Sequence, residues 1–385
     1  MSETTPKKPN IFLRLLALLV TVALVLGALA LIVYRDRLNL DALERWLTYR
    51  DLETGETGQA VPFTHAGGDG LTIAYLDKGI LFSSATGAHY YSINGTLYGE
   101  QVLSMENPVL SACDKAGVVY DAGGQSLYLF RGTEPVADFT LEGSSDLLSA
   151  RTNDNGWLAV TAQQSGYKGA VTVYDSAGAK KIQINLSSTF VVDAAISPDC
   201  KSVAVLTIDQ RSGSFHSKLL FYPVNRTEPS AQLDLGNMVV LDMDYEDDRL
   251  WILSDDRVLT TDTKGSSVAS YPFGHRYLKG YSLKGEGFAA LLLSSYSTGN
   301  ADELLTLDAQ CTPLASSPLS GQILDLDCAG GYTALLTGSQ LTIYDRTLLP
   351  YATLTDTQSA RCVGLRRDGS AALASYQQCW LYIPA

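Results

Sequence analysis

Five aspartates stand at matched positions in short apolar stretches: Asp193, Asp242 and Asp325, with Asp244 and Asp327 two residues after the latter two. Residues two apart on an extended strand project to the same side. Carboxylates arranged this way around one axis could hold a cation, and a held cation could polarise a substrate. The alternative is that they bond backbone amides between neighbouring elements. Arg151 is the only basic residue at an equivalent position.

Other chemistry fails at the level of spacing. Asp242-Met-Asp244-Tyr-Glu246-Asp247 alternates acids, but the sixth position of a calcium loop wants Gly and the twelfth wants Glu, where Leu253 stands. Arg151-Thr-Asn-Asp-Asn-Gly156 begins with a cation where the first ligand belongs, and reads as a turn. Ser165-Gly-Tyr-Lys168 has the letters of a serine–lysine pair, yet it lies in a loop where that chemistry needs a helix turn. The histidines (His65, His89, His216, His275) are far apart, which excludes zinc held by local spacing. Six cysteines show no C-x-x-C pattern. Cys311, after a third strand, and Cys328, at the end of the next first strand, fall on the same side of neighbouring units and form a candidate disulfide. No catalytic residue, cofactor or metal centre is assigned on this basis.

The elements that must position these residues are strands. From residue 60 onward, alternating apolar stretches recur between Gly, Asp, Asn and Ser turns, with no long amphipathic helix. Equivalent units begin near Leu71, Leu110, Leu148, Val192, Leu241, Lys279, Leu324 and Arg361, at intervals of 37 to 49 residues. A period near 40 with about four strands per unit predicts an all-β propeller of eight blades, or seven if one unit is wrongly divided. The last unit ends after its third strand, Cys379-Trp-Leu-Tyr-Ile383, so Val61-Pro-Phe-Thr-His65 is the expected donor of the closing strand. First strands line a propeller's channel, which gives the five aspartates a common address.

The N-terminal part differs in kind. Leu15 to Tyr34 is a run of 20 residues without a charge, long enough to cross the hydrocarbon core as a helix. The expected organisation is a short tail (1–10), a transmembrane helix (11–34), a juxtamembrane stem and linker (35–60) and the propeller (61–385). Within the stem, Leu40, Leu43 and Leu47 share a helical face and Trp46 suits an interface. The first fifty residues hold seven basic and four acidic side chains, the remainder 21 basic and 37 acidic. Such an acidic body excludes non-specific nucleic-acid binding, which needs clustered cations.

Ser197-Pro-Asp-Cys-Lys-Ser-Val-Ala resembles the S-P-D-G-K-x-L-A turn of WD-type and TolB-type propellers, with Cys200 in the Gly position. The layout of anchor, stem and PQQ-like propeller resembles a family of bacterial membrane-anchored proteins catalogued as a domain of unknown function. The resemblance spans essentially the whole chain, implies a fold and a cell-envelope setting, and transfers no catalytic residue. A PQQ enzyme would show Trp repeated in its blades. Here Trp157, Trp251 and Trp380 are the only Trp residues in the body and are read as packing. The expectation is a single-pass, extracytoplasmic platform for an envelope protein, a polysaccharide or a small ligand. The alternative is a cation-dependent envelope enzyme or ligand-binding sensor that uses the acidic channel.

Overall fold

The computed structural model describes residues 15–22, 24, 25, 27, 40–113, 115–132, 134–138, 146–211 and 213–384. The chain divides into two compact units, Met1–Asp51 and Leu52–Ala385.

In the first unit, residues 15–22 are helical, and the Thr21 hydroxyl is satisfied by donating to the Ala17 carbonyl at 2.8 Å. Much of the expected 11–34 span lies outside the described residues. Among the described residues no helix is long and apolar enough to cross a membrane. A second helix, Leu40–Tyr49, carries Asp41 in its first turn, where a negative charge complements the helix dipole. Its Leu43, Trp46 and Leu47 are exposed.

The second unit contains eight antiparallel four-stranded sheets. Blades 1 to 7 cover residues 72–102, 108–138, 147–186, 190–236, 240–272, 277–318 and 323–354. Blade 8 takes Cys362–Leu365, Ala371–Ala374 and Gln378–Tyr382 from the end of the chain and Phe63–Thr64 from its beginning. Phe63 pairs with Cys379 and Thr64 with Gln378, the closure the sequence predicts. Phe63 lies against Tyr91, with ring centroids 5.6 Å apart, and seats on Gly95. At Gly95 (φ 84°) any Cβ would strike the Phe63 ring, so that turn needs glycine. Each predicted unit start lies within two residues of an observed first strand.

First strands of successive blades touch one another all the way round, closing a ring about the axis. Second strands are covered on both faces by neighbouring blades, so Gly79–Ser84, Leu158–Ala162 and Phe288–Ser294 are buried at every residue. Trp251 and Trp380 fill the space between blades and are fully buried, as packing residues should be. In the Ser197–Lys201 turn, the Ser197 hydroxyl donates to Asp199 at 2.7 Å and accepts from the Ser202 amide at 3.0 Å. Cys200 adopts φ 55°, the left-handed conformation the sequence match assigns to a glycine position.

Candidate functional site

A first strand is paired on one side only, so alternate amides face the channel with no ladder partner. An aspartate one residue earlier supplies the acceptor. Asp193 accepts from the Ala194 amide at 2.8 Å. Asp242, Asp244, Asp325 and Asp327 accept from the amides of Met243, Tyr245, Leu326 and Cys328 at 2.9 Å each. Two of them also reach the next blade: Asp325 takes the Val363 amide and Asp327 the Leu365 amide, both at 2.8 Å. The structure therefore brings all five aspartates to the channel, bonded to backbone. Among the described residues no group of three or more His, Cys, Asp or Glu side chains is placed to hold a metal ion.

Arg151 organises the other side of the ring. Its Nε donates to Asp193 Oδ2 at 2.8 Å, its Nη2 lies 2.7 Å from the same oxygen, and Nη2 also donates to Asp242. The Ser149 hydroxyl donates to Asp193 at 2.6 Å. Three consecutive blades are thus tied by one guanidinium. Burial opposes its charge, but Asp193, Asp242 and Asp244 outweigh that and hold Arg151 well above its ordinary range. Burial, then the adjacent Asp242 carboxylate, raises the Tyr281 phenol.

Away from Arg151, the carboxyls feel burial more than compensation. Burial pushes Asp325 up to about 7 against the pull of the Val363 amide, and Asp244 up to about 6 against the pull of Arg151. Burial, then the neighbouring Asp154 and Asp244, pushes Glu246 up to about 9. At the mouth where Asp244 and Glu246 lie, where the first strands end, a cavity of about 120 Å³ is lined from all eight blades. Acids Asp244, Glu246 and Asp327 and cations Lys284, Arg366 and Arg367 share its wall. Its charges are mixed, and its two thiols are engaged, Cys113 donating to the Asn153 carbonyl at 2.9 Å and Cys328 lying 3.4 Å from the Thr333 hydroxyl.

The opposite mouth exposes large apolar side chains among its charged ones. In blades 3 to 7 the register of the first two strands slips at the same place, leaving Leu148, Val192, Leu241, Lys279 and Leu324 as extra residues. These bulges re-aim the chain at the rim of the channel. Val192, Leu241 and Leu324 are exposed, and so are Phe190, Val239 and Tyr277 beside them. The loops on this side add Tyr167, Tyr296 and Tyr376. The second and third strands of blade 4, Ser202–Arg211 and Ser214–Pro223, are ten residues long against four to seven elsewhere, and they carry Phe215 near their tip at 66% exposure. Sequence alternation points to the aspartates but not to this rim, since an inserted residue reads as one more apolar letter in a strand. The signal available was that four of the five inserted residues are Leu or Val.

The remaining motifs resolve as structure. Asn153 spends its side-chain oxygen on the amides of Asn155 and Trp157, making a turn and not a calcium loop. Lys168 lies over the Phe190 ring at 4.7 Å, and Ser165 stays in the loop between strands. The expected Cys311–Cys328 disulfide is corrected: both are free, buried thiols. Cys311 sits back toward blade 5, its sulfur 3.7 Å from Thr260, whereas Cys328 turns inside blade 7 to Thr333 at 3.4 Å. Burial pushes the Cys328 thiol up to about 12, which disfavours the thiolate that disulfide formation needs.

Comparison with known structures shows the same architecture at low identity. The C-terminal WD40 domain of Sif2 matches at 13% identity with a TM-score of 0.57, over 84% of this chain and 99% of that one. The computationally designed Ika8 protein matches at 12% identity and a TM-score of 0.59, over 83% and 98%. The beta-propeller domain of Cps50 (Swd1) from Myceliophteria thermophila matches at 8% identity and a TM-score of 0.50, over 74% and 99%. These likenesses concern the fold alone. No curated protein matches the sequence. Residues 51–347 match the profile of a family of unknown function, DUF5711, and the chain belongs to that family.

Proposed function

We propose that the protein is a single-pass, membrane-anchored propeller held outside the cytoplasm, where it serves as a platform for another envelope component, a protein or a polysaccharide. One observation carries this reading: large apolar side chains are exposed around one mouth of the ring, where three of the five aligned bulges and one overlong hairpin place them. Exposed apolar surface gathered in one region marks interaction sites, whereas scattered residues do not. Propellers suit such work because the blades fix a frame and the loops vary freely upon it. The uncharged run from Leu15 to Tyr34 and the exposed Leu43, Trp46 and Leu47 of the stem helix support an anchor. The rival reading, a cation-dependent enzyme or sensor, needs carboxylates that converge on one point, and among the described residues no group of three or more His, Cys, Asp or Glu side chains does so.

Crosslinking in intact cells, combined with protease added from outside, tests the proposal. The expected outcome is digestion of the propeller in unbroken cells and a discrete crosslinked partner. A propeller that resists protease until the membrane is breached contradicts the placement.

A further inference from the structure

We propose that the bulged mouth is a docking surface for a protein segment that presents an arginine or lysine side chain between apolar residues. This rests on the platform reading and names the partner's chemistry. A recess of about 300 Å³ opens at this mouth between blades 6 and 7, with Leu324 at its lip and Tyr281, Leu292 and Asp325 on its wall. Among the described residues Asp325 has no cationic partner. Its oxygens hold the amides of Leu326 and Val363 only, which leaves acceptor capacity for a charged donor. Four blades away across the ring, Arg151 shows how this channel takes a guanidinium, between the carboxylates of Asp193 and Asp242.

Lys279 also lines the recess, but its ammonium is drawn aside to the Ser297 carbonyl at 2.9 Å. Beside the recess stand Leu324 on its own lip, Tyr277 (48% exposed) at the start of blade 6 and Leu241 (51% exposed) on the neighbouring blade 5, so flanking apolar side chains would be buried as the cation enters. Charge selects the class of partner. Residues 51–385 carry 37 acidic against 21 basic side chains, which steers basic segments toward the propeller and repels anionic lipids and anionic polymers. A basic segment without apolar flanks would leave the rim uncovered, and an apolar one without a cation would leave Asp325 uncompensated.

The test is selection of a displayed random hexapeptide library against the full chain in detergent, using wild type, Asp325→Asn and Leu324→Glu. Leu324 is a surface residue, so its variant keeps the fold if Asp325→Asn does not; circular dichroism checks both. The expected result is enrichment of Arg or Lys flanked by apolar residues, with selected peptides binding each folded variant at least roughly ten-fold more weakly, as the loss of one buried charge-assisted contact implies. Enrichment without a basic residue, no enrichment, or equal binding to Leu324→Glu overturns the proposal. So does self-association of the chain through Leu324 as the sole interaction. A photo-crosslinker at Leu241 in cells separates the two readings. A partner captured there without a basic-apolar segment leaves the platform standing and removes this inference, whereas no adduct from that rim removes both.

Discussion

Arg151 faces two aspartates that belong to the next two blades, 42 and 91 residues away in sequence. Removing it strands two largely buried carboxylates. Breaking a buried pair by deleting one partner costs about 3–5 kcal/mol, so Arg151→Ala should lower the unfolding free energy from urea titration by an amount in that range. Adding Asp193→Asn and Asp242→Asn should recover part of the loss, which an unrelated packing defect would not allow. The uncompensated acids give a second expectation. Asp325, Asp244 and Glu246 have folded-state pKa values above the ordinary carboxylate range, at about 7, 6 and 9. Above about pH 4 the folded chain therefore keeps protons that the unfolded chain has released. Stability then falls as pH rises, through pH 6 and 7 for the two aspartates and on toward pH 9 for Glu246. Denaturation midpoints measured between pH 5 and pH 9 should decline. A midpoint that rises across this range would show these carboxyls to be ionised in the folded protein.

The closing strand is the element on which the ring depends, although it is only two residues long, Phe63–Thr64. Prolines at both positions remove the amide that Phe63 gives the ladder, bend the strand at Thr64, and take away the Phe63 side chain on Gly95. The third strand of blade 8, Gln378–Tyr382, then becomes an open edge. The double variant should melt several degrees lower, and size-exclusion chromatography should show concentration-dependent association. This closure was legible in the sequence because it follows from counting: seven units supply four strands each, and the eighth supplies three. Blade boundaries were legible for a similar reason, since alternation and turn residues are local properties. The bulges were not. The insertion of Leu241 shows only when Val240 pairs with Ser254 and Asp242 with Leu253, and that pairing is set by the neighbouring strand. The Cys311–Cys328 expectation failed on the same ground. Sequence placed both residues on the correct turns and strands, but the direction of each thiol is fixed by the blade it packs against.

At the scale of the molecule, the channel and the rim divide the work. The aspartates that look most like chemistry complete the hydrogen bonding of the inner edges of blades 4, 5 and 7, with Asp325 and Asp327 reaching blade 8, and so belong first to the frame. The proposed partner surface is the rim that exposes Val192, Leu241 and Leu324, which composition and periodicity could not reveal. The central claim, that this rim is the working face of the propeller, is tested most directly by a photo-crosslinking residue placed in intact cells at Leu241 or at Leu324 and, for comparison, at Val268 or Leu314. The latter two are exposed near turns joining third and fourth strands, on the other side of the ring. A discrete adduct is expected from Leu241 and Leu324, lost when Leu324→Glu is combined with the Leu241 probe, and none from Val268 or Leu314. Adducts from Val268 and Leu314 alone, or equally from all four positions, would contradict it.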